Sequence, residues 1–145
     1  MAIFYPNSGA LANAADQQTA LAASKIRLFD ETLVPTVATT RTELLAAESA
    51  FSGYPAGGKA IAAFNNPLLD PAGGASIESP LVQFEGDAGP PQTPGVVGGF
   101  WIEDATAPTP VVRVIGTFPA PIPVDGPGTG IPITVKLISS NGQVV

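Results

Sequence analysis

The chain has no cysteine and no histidine among its 145 residues. Without thiols there can be no disulfides, thiolate metal sites or cysteine nucleophiles. Without imidazole, the Ser-His-Asp triad, histidine-ligated zinc or haem and the usual general base near neutral pH are also excluded. Charge is scarce as well: Asp, Glu, Lys and Arg together make up 12% of the residues, well below the ~25% of an ordinary soluble domain. Long apolar runs are missing, because Pro, Gly or a charged residue interrupts each stretch before the ~18 residues that a membrane-spanning helix needs. No membrane partner is therefore expected. The opening MAIFYPNSGA has neither a basic segment nor a long apolar one, which argues against a secretory signal. The expectation is a protein kept in the cytoplasm where it is made unless a particle carries it out.

Hydrophobic residues make up 45% of the chain, and there are sixteen glycines and sixteen prolines. That length and apolar content suit one domain with a real core and long irregular loops. Twelve acids and six bases leave a net charge of −6. The bases, Lys25, Arg27, Arg41, Lys59, Arg113 and Lys136, are scattered, whereas a phosphate-binding surface needs them clustered. No nucleic-acid partner is expected. Low charge fits either a compact, weakly charged monomer or a subunit whose surface its neighbours cover. The second reading is preferred, because a free monomer normally carries more surface charge to remain unassociated.

Residues 1–23 read as an arm preceding a single β domain over 24–145. Ile3, Phe4 and Tyr5 form a short apolar patch stopped by Pro6. The polar, alanine-rich stretch after it has only weak helical period in Leu11, Ala14, Ala15 and Leu21. Such a segment is either a frayed terminus or an extended arm that orders on a neighbour, with Ile3, Phe4 and Tyr5 as interface anchors. Alternation in Lys25-Ile26-Arg27-Leu28-Phe29 predicts a half-buried strand with Ile26 and Leu28 on its inner face. Thr40-Arg41-Thr42-Glu43 fits a capping box. With Leu44, Ala47 and Phe51 at helical spacing, it predicts one short helix over about 41–51, ended by Gly53. Strands are predicted at 60–64, 81–85, 96–103, 111–115 and 131–138, separated by loops at 65–80, 86–95 and 119–130. The resulting fold class is all-β, an antiparallel β-sandwich or jelly-roll-like domain.

Catalytic chemistry finds little support. Glu103 and Asp104 are adjacent on a predicted strand and so point to opposite faces. Glu85 and Asp87 could share a face, but they sit at a strand-to-loop transition where acids are ordinarily solvated. A loop calcium site from Asp70, Asp87 or Asp125 lacks the spaced-acid loop pattern. Gly126-Pro127-Gly128-Thr129-Gly130 has no following Lys-Ser/Thr to hold phosphate and reads as a turn. No catalytic residue, metal ligand or cofactor is assigned. Phe100 and Trp101, adjacent on a strand, should divide between core and surface. Both are candidate interface residues, because large aromatics often anchor contacts.

Several of these stretches together resemble a family of small structural proteins of tailed bacteriophages. They are Lys25 to Phe29, the turn at Pro35, the run from Thr40 to Tyr54, and Gly98-Gly99-Phe100-Trp101-Ile102-Glu103-Asp104-Ala105. The strand with Arg113, the Phe118-Pro119 connection and the closing segment from Ile131 to Ser139 complete the match. The resemblance covers roughly residues 25–140. It implies a non-enzymatic virion protein, assembled in the host cytoplasm and partnered by the major capsid protein or other virion proteins. A homo-oligomer is expected, a trimer by preference. The favoured role is capsid decoration or cement; the alternative is another component, such as a head-fibre base, a neck or tail protein, or a glycan-binding adhesin.

Overall fold

The computed structural model describes residues 3–4, 7–71, 74–87, 93–104, 108–139 and 143–144, excepting the side chains of 3, 4, 143 and 144. The elements in chain order are β1 (Ile3–Phe4), α1 (Asn7–Ala20), β2 (Ser24–Asp30), α2 (Arg41–Ala46), β3 (Lys59–Ala60), β4 (Leu68–Leu69) and β5 (Ala75–Glu78). They continue with β6 (Val82–Glu85), β7 (Gly95–Asp104), β8 (Val111–Val124), β9 (Gly130–Ile133), β10 (Lys136–Ser139) and β11 (Gln143–Val144). The described pairings are all antiparallel, so the protein is mostly β, with α1 its one substantial helix.

Two compact units share the chain. One comprises Met1–Ala23, Ile61–Leu81 and Thr134–Val145; the other comprises Ser24–Ala60 and Val82–Ile133. The expected boundary at residue 24 is one crossing point, but 24–145 is divided between the units and not gathered in one.

In the first unit, β10, β5 and β4 form a sheet in that order, and β1 pairs with β11. Helix α1 packs on β5 and β10, with Ala10 and Ala14 fully buried and Leu21 nearly so. This corrects the reading of 1–23 as an extended arm. The buried face is alanine, whose short side chain lets a helix approach a sheet closely but gives a hydropathy pattern little contrast. Gln18 ties the helix to an adjacent loop, its Nε2 donating to the carbonyls of Phe64 and Asn65 at 3.2 and 3.1 Å. Opposite the helix side, Lys136 and Glu78 face each other across β10 and β5. The Lys136 Nζ stands 2.5 Å from Oδ2 of the nearly buried Asp70.

In the second unit, β3, β2, β7 and β8 form a four-stranded sheet, and β6 pairs with β9. Both faces of the large sheet are covered. Ile26, Leu28 and Ile102 are fully buried on one side, and Phe29 and Trp101 on the other. The second face carries a cluster of Phe29, Leu44, Ala47 and Trp101. Gly99 makes this packing possible, since a Cβ there would lie 2.4 Å from the Phe29 ring.

The helix expected over 41–51 stops at Ala46. Beyond it, Ala47 and Ser49 join the edge of β2: Asp30 N–H donates to Ala47 O at 2.8 Å, and Ser49 N–H to Leu28 O at 2.9 Å. A free strand edge thus outcompetes the next helical turn for these backbone groups. Other boundaries move too. The strand at 60–64 shortens to β3, the 65–80 loop contains β4 and β5, and 131–138 splits into β9 and β10. The run 111–115 extends through the prolines to Val124.

Ala14→Leu adds bulk at a fully buried helix position and is expected to destabilise the first unit by about 1–3 kcal/mol, read by urea denaturation. An extended arm would show no change.

Candidate functional site

The densest polar constellation in the second unit is built on one face of its large sheet. Register places Arg27, Trp101 and Ile115 side by side, with Lys25, Glu103 and Val112 in the next row. Glu103 is 2% exposed. Its Oε2 accepts from Arg41 Nε at 2.9 Å and from Trp101 Nε1 at 3.1 Å, and its Oε1 from Arg41 at 3.3 Å. Arg27 Nε lies 3.0 Å from Oε1, an ionic contact and not an aligned hydrogen bond. The Arg27 guanidinium also sits 5.8 Å from the Trp101 ring centre, within cation–π range. Its Nη1 pairs with Glu48 at 3.1 Å. The Tyr54 hydroxyl closes the chain, donating to Glu48 Oε1 at 2.8 Å and accepting from Leu28 N–H at 3.2 Å.

Local sequence sets these positions. The Thr40 capping box is formed, with Glu43 N–H donating to Thr40 Oγ1 at 3.3 Å and Thr40 N–H to Glu43 Oε2 at 2.6 Å. It fixes the start of α2, so Arg41 in the first turn reaches Glu103. Buried Leu44 holds the helix to Phe29 and Trp101.

Burial pushes the Glu103 carboxyl up. Hydrogen bonds from Arg41 and Trp101 and the charges of Arg27 and Arg41 outweigh that and hold it below the ordinary glutamate range. The hydrogen bond to Glu103 likewise raises Arg41, and burial is the main cause that raises Tyr54. The network therefore holds charge and a neutral phenol. The shifts of Glu103, Arg41 and Tyr54 all run away from neutral pH, so none of these three is poised to exchange a proton there.

The other candidates fall as follows. Asp104 lies on the opposite face from Glu103 and pairs with Arg113 at 3.3 Å, so the two acids do not converge. Glu85 and Asp87 are exposed, and Glu85 accepts from Gln83 Nε2 at 2.8 Å. Among the described residues, no group of three or more acidic side chains is placed to hold a metal ion. Thr129 Oγ1 donates to Gly126 O within the glycine-rich segment, which is a turn.

Trp101 is fully buried and so is not available as a surface anchor. Its indole N–H requires the internal acceptor that Glu103 provides. Phe100 is half-buried, its ring 6.1 Å from that of Phe118. Tyr5 and the side chains of Ile3 and Phe4 lie outside the described residues.

Arg27, Arg41, Glu48 and Tyr54 were not legible as a group in the sequence. The one available signal was Phe29, which shares a face of β2 with Arg27 and implies that this face is covered. A shallow groove of about 410 Å³ is lined by Asp30, Glu31, Glu48, Phe51 and Gly95 among others. Thr32 N–H already engages Asp30 at 2.9 Å, and Arg27 and Tyr54 engage Glu48. Comparisons with family models, curated proteins and solved structures find nothing that matches this chain.

Glu103→Gln leaves two guanidiniums without their shared counter-charge and is expected to cost about 3 kcal/mol at neutral pH. The folded-state pKa is depressed, so the charged contribution is present above the unfolded value of ~4.3 and is lost as pH falls through the folded one. Denaturation curves from pH 7 down to 3 should show the variant's deficit narrowing across that window.

Proposed function

We propose that the protein is a non-enzymatic structural subunit of a tailed-phage particle, most specifically a decoration or cement protein on the outer face of the head. The observation that carries the assembly part is the surface. Large apolar side chains stand exposed on a chain with little charge, and they recur in groups. Val34 and Val37 project from one loop, at 82% and 110% exposure, and Leu68 and Ile138 flank Ser76 on one face of the first unit's sheet. Isolated exposed apolar residues are ordinary, whereas grouped ones favour a covered surface. The net charge of −6 favours a position packed against protein and away from the genome. The resemblance of residues 25–140 to phage structural proteins supplies the particle.

The same reading includes a sandwich-like second unit. Support comes from Lys59 on β3, whose Nζ lies 5.3 Å from the centre of the Phe84 ring on β6. Tyr54 stacks on that ring at 5.8 Å. Both contacts favour the β6–β9 pair lying against the larger sheet. Among the described residues no helix is long and apolar enough to cross a membrane.

The test is copy number in purified particles, together with binding of the purified protein to expanded heads. Saturable binding at a copy number comparable with that of the shell protein is expected. Labelling confined to tails, or binding to host cells without the particle, overturns the decoration role. Removing residues 1–23 is not a clean probe of arm function, because it strips α1 from its sheet.

A further inference from the structure

Ser49 is 7% exposed, and its Oγ meets neither solvent nor a hydrogen-bond partner among the described residues. A hydroxyl buried in that state costs stability, and native folds keep few of them. Ser49 helps to line the groove of about 410 Å³ beside the start of β7. A second groove, of about 390 Å³, shares Glu48, Ser49, Ala50 and Phe51 with the first, so the serine lies where the two meet. Rotation about χ1 alone carries a serine hydroxyl between staggered positions, so it can turn to a ligand without moving the backbone.

The first groove is acidic. Asp30, Glu31 and Glu48 line it, with no base among its described residues. Arg27 pairs with Glu48, whereas Asp30 and Glu31 enter no ion pair among the described residues. The N–H and hydroxyl of Thr32 both donate to Asp30 Oδ1, which leaves Oδ2 over. Glu31 is exposed. Phe51, Pro94 and Val96 add an apolar wall.

We propose that this groove takes an arginine side chain from a partner protein, with the guanidinium held by Asp30 Oδ2, the Glu31 carboxylate and the Ser49 hydroxyl. Charge complementarity names the occupant. Two carboxylates outside any ion pair call for a cation, and the unserved hydroxyl calls for a donor. A guanidinium carries five N–H donors in a planar fork and no acceptor, so it can meet several separated oxygens at once. Its methylene stem matches the apolar wall. The net charge of −6 keeps copies of this chain apart, so the arginine comes from a different and basic protein. The inference does not rest on the phage reading, because it concerns one groove of the purified chain.

The probe is the capped tripeptide acetyl-Gly-Arg-Gly-amide, titrated into the full chain at low salt and followed by NMR. Saturable shifts are expected at the amides of Glu31, Ser49 and Val96. The same peptide with citrulline, which keeps the shape and loses the charge, should produce none, and a lysine peptide should bind more weakly. Glu31→Gln, at an exposed position, should weaken the arginine peptide about threefold. Ser49→Ala should weaken it about tenfold. It should also leave the urea midpoint of the free chain unchanged or raised, because the hydroxyl has no bond to lose. The proposal is overturned by failure to saturate, by shifts centred elsewhere, or by citrulline or lysine peptides that bind as well as arginine. A Ser49→Ala chain that binds as before, or that is destabilised, overturns it too.

Discussion

A carboxylate buried under two arginines and an indole governs the second unit. Glu103 is nearly inaccessible, and such a charge is tolerated only where fixed partners replace its water. Those partners come from three separate stretches: Arg27 on β2, Arg41 at the start of α2 and Trp101 on β7. Each must arrive at its position before the site is satisfied. Desolvation offsets much of what the pairing gains, so the network's main effect is selective: it penalises arrangements in which α2 or β2 sits elsewhere. Arg27 then extends the constraint through Glu48 to Tyr54 and back to the Leu28 amide.

That network also explains why the large sheet is covered on both faces. An antiparallel sheet of this size can leave one face to solvent. Here Phe29 and Trp101 share the polar network's face, so α2 and the segment after it are drawn over them. The bonds from Asp30 to Ala47 and from Ser49 to Leu28 stitch that segment to the edge of β2. The helix is shortened in the process. Strand β3 and the segment after α2 share one edge of β2 and β7 takes the other, so among the described residues β3 and β8 are the outer strands of the sheet.

The first unit works by different means. Its helix contributes alanines, not large apolar residues, and its polar anchors are separate contacts and not one network: Gln18 to a loop and Lys136 to Asp70. Its apolar side chains Leu68 and Ile138 face outward. Both units thus present uncovered apolar groups on or beside sheet surfaces, which is the physical basis for reading the protein as part of an assembly.

The sequence by itself determined the predominance of β structure, the strand at residues 25–29, the capping box at Thr40 and the start of α2, because these depend on local alternation and on groups three residues apart. It also determined that Glu103 and Asp104 diverge, since neighbours on a strand must. Tertiary structure alone decided where α2 ends, that residues 7–20 are helix, and how the chain divides into two units. A helix end depends on what competes for its last carbonyls, and an alanine face becomes apolar only when a sheet lies against it. Tertiary structure also decided the network of Arg27, Arg41, Glu48, Tyr54 and Glu103, because five polar residues spread over 77 positions carry no shared pattern until strand register brings them together.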